Sequence, residues 1–328
     1  MSFSEIIEQK SAVNILQEEI NSNRINHAYL LIGKDGVGKK SLAFQFARAL
    51  LCEEKSNDSC DQCINCRKIN HYNHPDVKLV DVEENSNKLK IDQIREIQKE
   101  ITYRPYETDR KVYIINNAEQ MTPQASNSLL KTLEEPPSYA VIVLLVEEIN
   151  RLLPTVISRC QHIRLSNISR EKIKEELMTR EIKEERAELL ARIARGSLGR
   201  AIKLDENKEF LGFRSELYDF LKDLVNLDTV KIFNQAEKMQ NSLENNFPLF
   251  DLLSDWYRDI MIYKSGNKEE IINSDYRKSI KEQSEIYTIN ELLKIMEWIK
   301  EYRDYIEKNV RKDLTIQVLL LKIKAKRL

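Results

Sequence analysis

The sequence predicts an α/β core built on a parallel sheet, followed by a region that is helical throughout. Three observations carry that expectation. Runs of strand length at 28–32, 77–80, 111–115 and 139–146 alternate with stretches whose apolar residues recur at helical spacing, the pattern of βα units with buried strands. A glycine-rich turn, Gly33-Lys34-Asp35-Gly36-Val37-Gly38-Lys39-Lys40-Ser41, separates the first run from the helix-like SLAFQFARALLC and holds three of the chain's seven glycines. Six of the seven prolines precede residue 155, and after residue 208 only Gly212, Pro248 and Gly266 interrupt the helical pattern.

Taken in order, residues 5–24 place Ile6, Ile7, Val13, Leu16 and Ile20 at helical spacing ahead of the first strand. After the glycine-rich turn, Leu42, Phe44, Phe46, Ala47, Leu50 and Leu51 give a helix packed on the sheet. The turn Asn73-His74-Pro75-Asp76 precedes the second strand, and a helix beginning near Ile91 carries Ile94, Ile97 and Ile101 on one face. Residues 111–115 form the third strand. Thr122-Pro123 opens a helix through Ala125, Leu129, Leu130 and Leu133, which Glu134-Glu135-Pro136-Pro137 ends, since the prolines cannot continue it. The fourth strand at 139–146, a short helix within 151–160 and a fifth strand at 161–165 complete the core.

A strand, a glycine-rich turn and a helix in that order make a phosphate-binding P-loop, in which backbone N–H groups and the helix dipole hold an anion. Gly33, Gly36, Gly38, Lys39, Lys40 and Ser41 are its candidate nucleotide-binding residues. The pattern fails at its last position. Lys40 stands where a hydroxyl should ligate Mg²⁺, an ammonium has no lone pair to give, and Ser41 points about 100° away on the helix. The third strand ends in Asn116-Asn117, where a P-loop ATPase needs acidic groups for Mg²⁺ and the attacking water. Glu119 lies two residues beyond these amides. The motif is therefore degenerate, and nucleotide binding (ATP or ADP) stays open, because Lys39 and the loop amides could grip phosphate without catalysis.

Bulk properties bound the function. At 328 residues two or three domains are expected. A net charge of −1 with 32% charged residues excludes a surface devoted as a whole to nucleic acid. The start MSFSEIIEQK lacks a basic region followed by an apolar one, and no run approaches the roughly 18 apolar residues of a membrane span. A cytoplasmic location with no membrane partner is the expectation.

In that setting cysteines point to metal before disulfides. Four of the five lie in Cys52-x7-Cys60-x2-Cys63-x2-Cys66. Four thiolates satisfy tetrahedral Zn²⁺ and leave no open position, so the zinc expected here is structural, contributing on the order of 10 kcal/mol to holding the loop. His71 and His74 follow closely and are alternative ligands.

The run Asn127-Ser128-Leu129-Leu130-Lys131-Thr132-Leu133-Glu134-Glu135-Pro136-Pro137, paired with Ile157-Ser158-Arg159-Cys160, resembles the AAA+ clamp-loader subunits of bacterial DNA polymerase III, as does the placement of the four-cysteine insertion. Motor members of that family carry a complete P-loop and an Asp-Glu pair; other members have lost both and keep the Ser-Arg-Cys motif. This chain resembles the latter.

The resemblance implies an AAA+ Rossmann-like core with five parallel strands over residues 1–165 bearing the zinc loop at 52–66, a helical lid over 166–207, and an all-α collar over 208–328. It implies that Arg159, supported by Ser158 and Cys160, reaches the ATP of a neighbouring subunit as a trans arginine finger. The implied partners are the gamma/tau and delta subunits, with the sliding clamp and primed DNA reached through the complex. In the lid, Gly196-Ser197-Leu198-Gly199-Arg200 resembles the family's sensor-arginine start, with the arginine one position late. Two other readings stand beside this one: an active gamma/tau-like ATPase, and a zinc-ribbon module that binds nucleic acid.

Overall fold

A computed structural model describes the whole chain except residues 1, 55, 56, 84, 85, 87, 245, 246, 309 and 326–328. The first helix, α1 (Lys10–Ser22), leads to β1 (Ala28–Ile32), followed by α2 (Lys39–Leu51), α3 (Ile64–Asn70), β2 (Val77–Val80), α4 (Ile91–Glu100) and β3 (Lys111–Ile115). Then come α5 (Pro123–Glu134), β4 (Ala140–Val146), the single-turn α6 (Pro154–Ile157) and β5 (Gln161–Arg164). The short helix expected within 151–160 is this one turn, because Pro154 starts it and Leu153 before it is extended.

The five strands form one parallel sheet in the order β2-β3-β4-β1-β5, the parallel five-stranded core expected. Alternation along β1 divides its side chains between two cores. Tyr29 and Leu31 pack with Leu42, Phe46 and Ala47 of α2 on one face. Ala28, Leu30 and Ile32 pack with Ile94 and Ile97 of α4 and with Leu129 and Leu133 of α5 on the other. Helices on both faces leave the carboxyl ends of the strands as the open edge where an α/β sheet binds ligands. The glycine-rich turn, Asn116, Asn117 and Glu147 all follow strand ends on that edge.

Beyond the sheet lie α7 (Arg170–Met178), α8 (Glu184–Ile193) and α9 (Leu198–Glu206), then α10 (Phe210–Asp223), α11 (Thr229–Glu244), α12 (Leu249–Lys264), α13 (Arg277–Ile286), α14 (Ile289–Glu307) and α15 (Lys312–Ala325). The chain packs as two compact units, residues 1–187 with 194–201 and residues 188–193 with 202–328. Segments 166–187 and 194–201 thus pack with the sheet.

In the second unit α12 is buried nearly all round, with Trp256 and Tyr257 fully enclosed. Its buried Asp259 carboxylate accepts hydrogen bonds from the Ile272 and Asn273 N–H groups and the Asn273 amide at 2.7–3.0 Å. Burial raises its pKa against the lowering effect of those bonds. Arg214 grips Asp275 with two nitrogens at 2.7 and 2.8 Å. Trp298, on α14, is also buried, so both tryptophans serve the core. Among the described residues no helix is long and apolar enough to cross a membrane.

Candidate functional site

The P-loop has the expected local shape. Gly36 and Gly38 adopt φ of +73° and +105°, a region closed to most L side chains, and Gly38 begins α2. Its lysine is held by the loop itself. Lys39 is only 9% exposed, and its ammonium donates to the Gly33 carbonyl at 2.6 Å and the Lys34 carbonyl at 2.9 Å. Burial lowers its pKa, opposed by the carboxylates of Asp35, Glu147 and Glu119. The lysine that would meet a phosphate is turned onto its own loop and faces three acids. Lys40 and Ser41 lie exposed on α2.

The turn that begins α9 closes over this loop. Ser197 Oγ donates to the Asp35 carbonyl at 2.6 Å, and the Gly199 N–H donates to the Gly36 carbonyl at 2.9 Å. The approach is so close that a Cβ built at Gly199 would lie 2.7 Å from Gly36 Cα, and one at Gly36 would lie 2.9 Å from Gly199 Cα. A side chain at position 199 would therefore push the two segments apart, and the arginine follows at the next position. The Arg200 N–H instead donates to Ser197 Oγ at 3.0 Å, within the first turn of the helix.

The third strand's end is closed as well. Asn116 Nδ2 donates to Asp81 Oδ2 at 2.8 Å and Asn117 Nδ2 to Asp81 Oδ1 at 3.2 Å. One carboxylate at the end of the neighbouring strand takes both amides. Acidic residues at 116 and 117 would repel Asp81, whereas amides turn the same geometry into a network. Glu119 Oε1 accepts from the Glu147 N–H at 3.2 Å, while its buried Oε2 has no hydrogen-bond partner among the described residues. Asp81 lay outside every motif, and the contacts of Ser197 and Gly199 with the P-loop were not legible from the motif that contains them, since each joins segments distant in sequence.

The cysteine loop is assembled as expected. The Sγ atoms of Cys52, Cys60, Cys63 and Cys66 all lie within 4.8 Å of one another. Tetrahedral Zn–S bonds of about 2.3 Å place sulfurs about 3.8 Å apart, so the donor set fits such an ion with small adjustments. The Cys63 N–H donates to Cys60 Sγ at 3.2 Å and the Cys66 N–H to Cys63 Sγ at 3.4 Å, contacts that favour thiolates. Burial works against the charged form at Cys63, yet hydrogen bonds from Cys66 and Glu53 bring its pKa down to about 7. Burial drives Cys66 up.

Neither histidine joins them: His74 Nδ1 accepts from the Asp76 N–H at 3.0 Å, and its Nε2 faces Asn65 Oδ1 at 3.3 Å. His71 is absent from the group of side chains that converges on this site. The loop is fastened to α2 through Arg48, which bonds Asp61 at 3.0 Å and also Asn70 and Gln45. These polar anchors are buried within α2, where helical spacing marks only the apolar positions.

The Ser-Arg-Cys corner is different in kind. The turn of α6 ends at Ser158, whose hydroxyl donates to the Thr155 carbonyl at 3.3 Å. Cys160 packs against the core beneath the sheet, and burial pushes its thiol up to about 12, so it serves as a neutral anchor. With Ser158 closing the turn and Cys160 anchored inward, Arg159 projects outward with 35% of its side chain exposed. Its guanidinium donates to the Thr155 carbonyl at 2.9 Å and to Glu134 at 2.7 Å.

Family models agree with this architecture. The model described as DNA polymerase III, delta subunit, matches residues 8–169, and a second, described as the C terminal of the same delta subunit, matches residues 208–325. The delta' subunit of DNA polymerase III from Bacillus subtilis is 34% identical over 279 residues, 84% of each chain. The chain belongs to the DNA polymerase III delta-prime family. The delta' subunit of Pseudomonas aeruginosa is 29% identical over 302 residues, 90% of each chain. A gamma subunit from Buchnera aphidicola is 38% identical over 172 residues, covering 52% of this chain and 47% of that one. Membership in the delta-prime family makes this a clamp-loader subunit homologous to gamma and tau.

Proposed function

We propose that the chain is the non-motor member of a DNA polymerase III clamp loader, presenting Arg159 to ATP held by a neighbouring subunit. The single observation that carries this reading is the contrast at the open edge. Lys40, Asn116 and Asn117 replace the groups that would act on Mg²⁺ and water in cis, and Lys39 bonds its own loop, while Arg159 stands partly exposed on an anchored turn. A guanidinium entering from outside neutralises charge that develops on the γ-phosphate during transfer, worth about 10³–10⁵ in rate when supplied in trans. The P-loop then serves as a clasp for the first turn of α9, and catalytic nucleotide chemistry in this chain is not part of the reading.

In that role the chain occupies the cytoplasm, assembles with gamma/tau and delta subunits, and meets the sliding clamp and primed DNA through the complex. Residues 1–165, 166–207 and 208–328 act as core, lid and collar. Cys52, Cys60, Cys63 and Cys66 hold a structural zinc that ties α2, and with it the P-loop, to the loop at 52–66.

The test is the ATPase of the reconstituted complex. Arg159→Ala should leave assembly intact and reduce turnover by at least tenfold, whereas Lys39→Ala should leave it unchanged. Unaltered turnover with Arg159→Ala overturns the finger. Turnover by the isolated wild-type chain that Lys39→Ala abolishes favours the motor reading instead.

A further inference from the structure

We infer that Glu134 is a positioning residue for Arg159, holding the guanidinium ready before a neighbour's phosphate arrives; this rests on the arginine-finger reading. Glu134 is the last residue of α5 and Arg159 follows α6, twenty-five positions on. The two elements are set at a fixed spacing by one core, since Leu129 and Leu133 of α5 and Val156 of α6 are buried in the same cluster. Across that spacing Glu134 Oε1 accepts from Arg159 Nη2 at 2.7 Å, while the Thr155 carbonyl accepts from Nη1 at 2.9 Å.

An arginine has five N–H donors in a planar fork. Two are taken by the chain itself, one on each terminal nitrogen, which fixes the plane of the group and leaves three donors for an incoming anion. A free arginine on a surface samples many rotamers, and holding one of them removes part of the ordering cost from the reaction. The pair is also weak enough to yield. Glu134 is 49% exposed, and an exposed ion pair shifts a population by roughly two- to fivefold. Such a pair adds little to folding but biases where the guanidinium waits. In this chain the Leu-Lys-Thr-Leu-Glu-Glu run supplies the hold on the Ser-Arg-Cys corner.

The experiment compares wild type, Glu134→Ala, Glu134→Gln, Arg159→Ala and the Glu134→Ala/Arg159→Ala double variant, each reconstituted into the full complex with thermal melts as a folding control. Glu134→Ala should lower kcat by two- to fivefold with KM for ATP unchanged. Glu134→Gln, which keeps an acceptor oxygen, should retain most of the wild-type rate. The double variant should match Arg159→Ala alone, because a positioning residue has nothing left to position. Wild-type kcat in Glu134→Ala, or losses that multiply in the double variant, overturns the inference while leaving the finger intact. A silent Arg159→Ala overturns the finger reading itself, and the inference with it.

Discussion

The P-loop corner and the Arg159 corner lie in the same core and have been treated oppositely by the rest of the chain. At the P-loop, Lys39 bonds two loop carbonyls, Asn116 and Asn117 share Asp81, and Gly199 rests on Gly36. At the other corner a single exposed ion pair and one carbonyl contact hold the arginine. The contrast lies in how each side chain is held: buried polar groups at the P-loop find partners on segments distant in sequence, because leaving them unpaired is costly. The arginine is held more loosely, through an exposed carboxylate.

Three perturbations would break or sharpen that contrast, beginning with the largest. Chelating the proposed zinc, or replacing Cys66 with Ser, should release the loop at 52–66 from α2. The loss of stability should be of several kcal/mol and up to the order of 10 kcal/mol. Thermal melting with metal analysis checks it: one zinc per chain in the wild type, none in the variant, and a lower Tm. An unchanged Tm would detach the cysteine loop from the closed corner.

The next effect is steric. Gly199→Ala places a Cβ 2.7 Å from Gly36 Cα, backbone against backbone, so one segment must move at a cost of about 1–3 kcal/mol. Denaturant unfolding gives that cost, and hydrogen exchange should show residues 33–38 losing protection. A neutral result would mean that the two segments separate freely and that the P-loop is not a clasp.

The smallest effect is electrostatic. Asn116→Asp puts a second carboxylate beside Asp81, so the folded-state pKa of the pair rises above the ordinary carboxylate value near 4. The sign follows from linkage: with a raised folded pKa the penalty, about 1–2 kcal/mol, is present at neutral pH and disappears as pH falls and one carboxyl is protonated. Stability measured between about pH 7 and 4 should therefore converge on the wild type at the acid end. Loss that is independent of pH would point to packing instead of charge. The substitution should not create ATPase activity, because Lys39 stays on its carbonyls and Lys40 offers no metal ligand.

Much of this was readable in the chain alone. Strand runs, the glycine-rich turn, Lys40, Asn116 and Asn117 are local facts, and local spacing decides whether a segment is a buried strand, a phosphate loop or a thiolate cluster. Cys60, Cys63 and Cys66 are separated by two residues each, so their convergence needed no knowledge of the fold. Tertiary structure decided everything that depends on pairs remote in sequence. It joined Asp81 to the strand-end amides, set Gly199 against Gly36, kept His74 with Asp76 and away from the sulfurs, and brought Glu134 to Arg159. The physical reason is that motifs record which groups a short segment can offer. Which partner receives each one depends on sheet order and helix packing, through contacts that no single stretch of sequence contains.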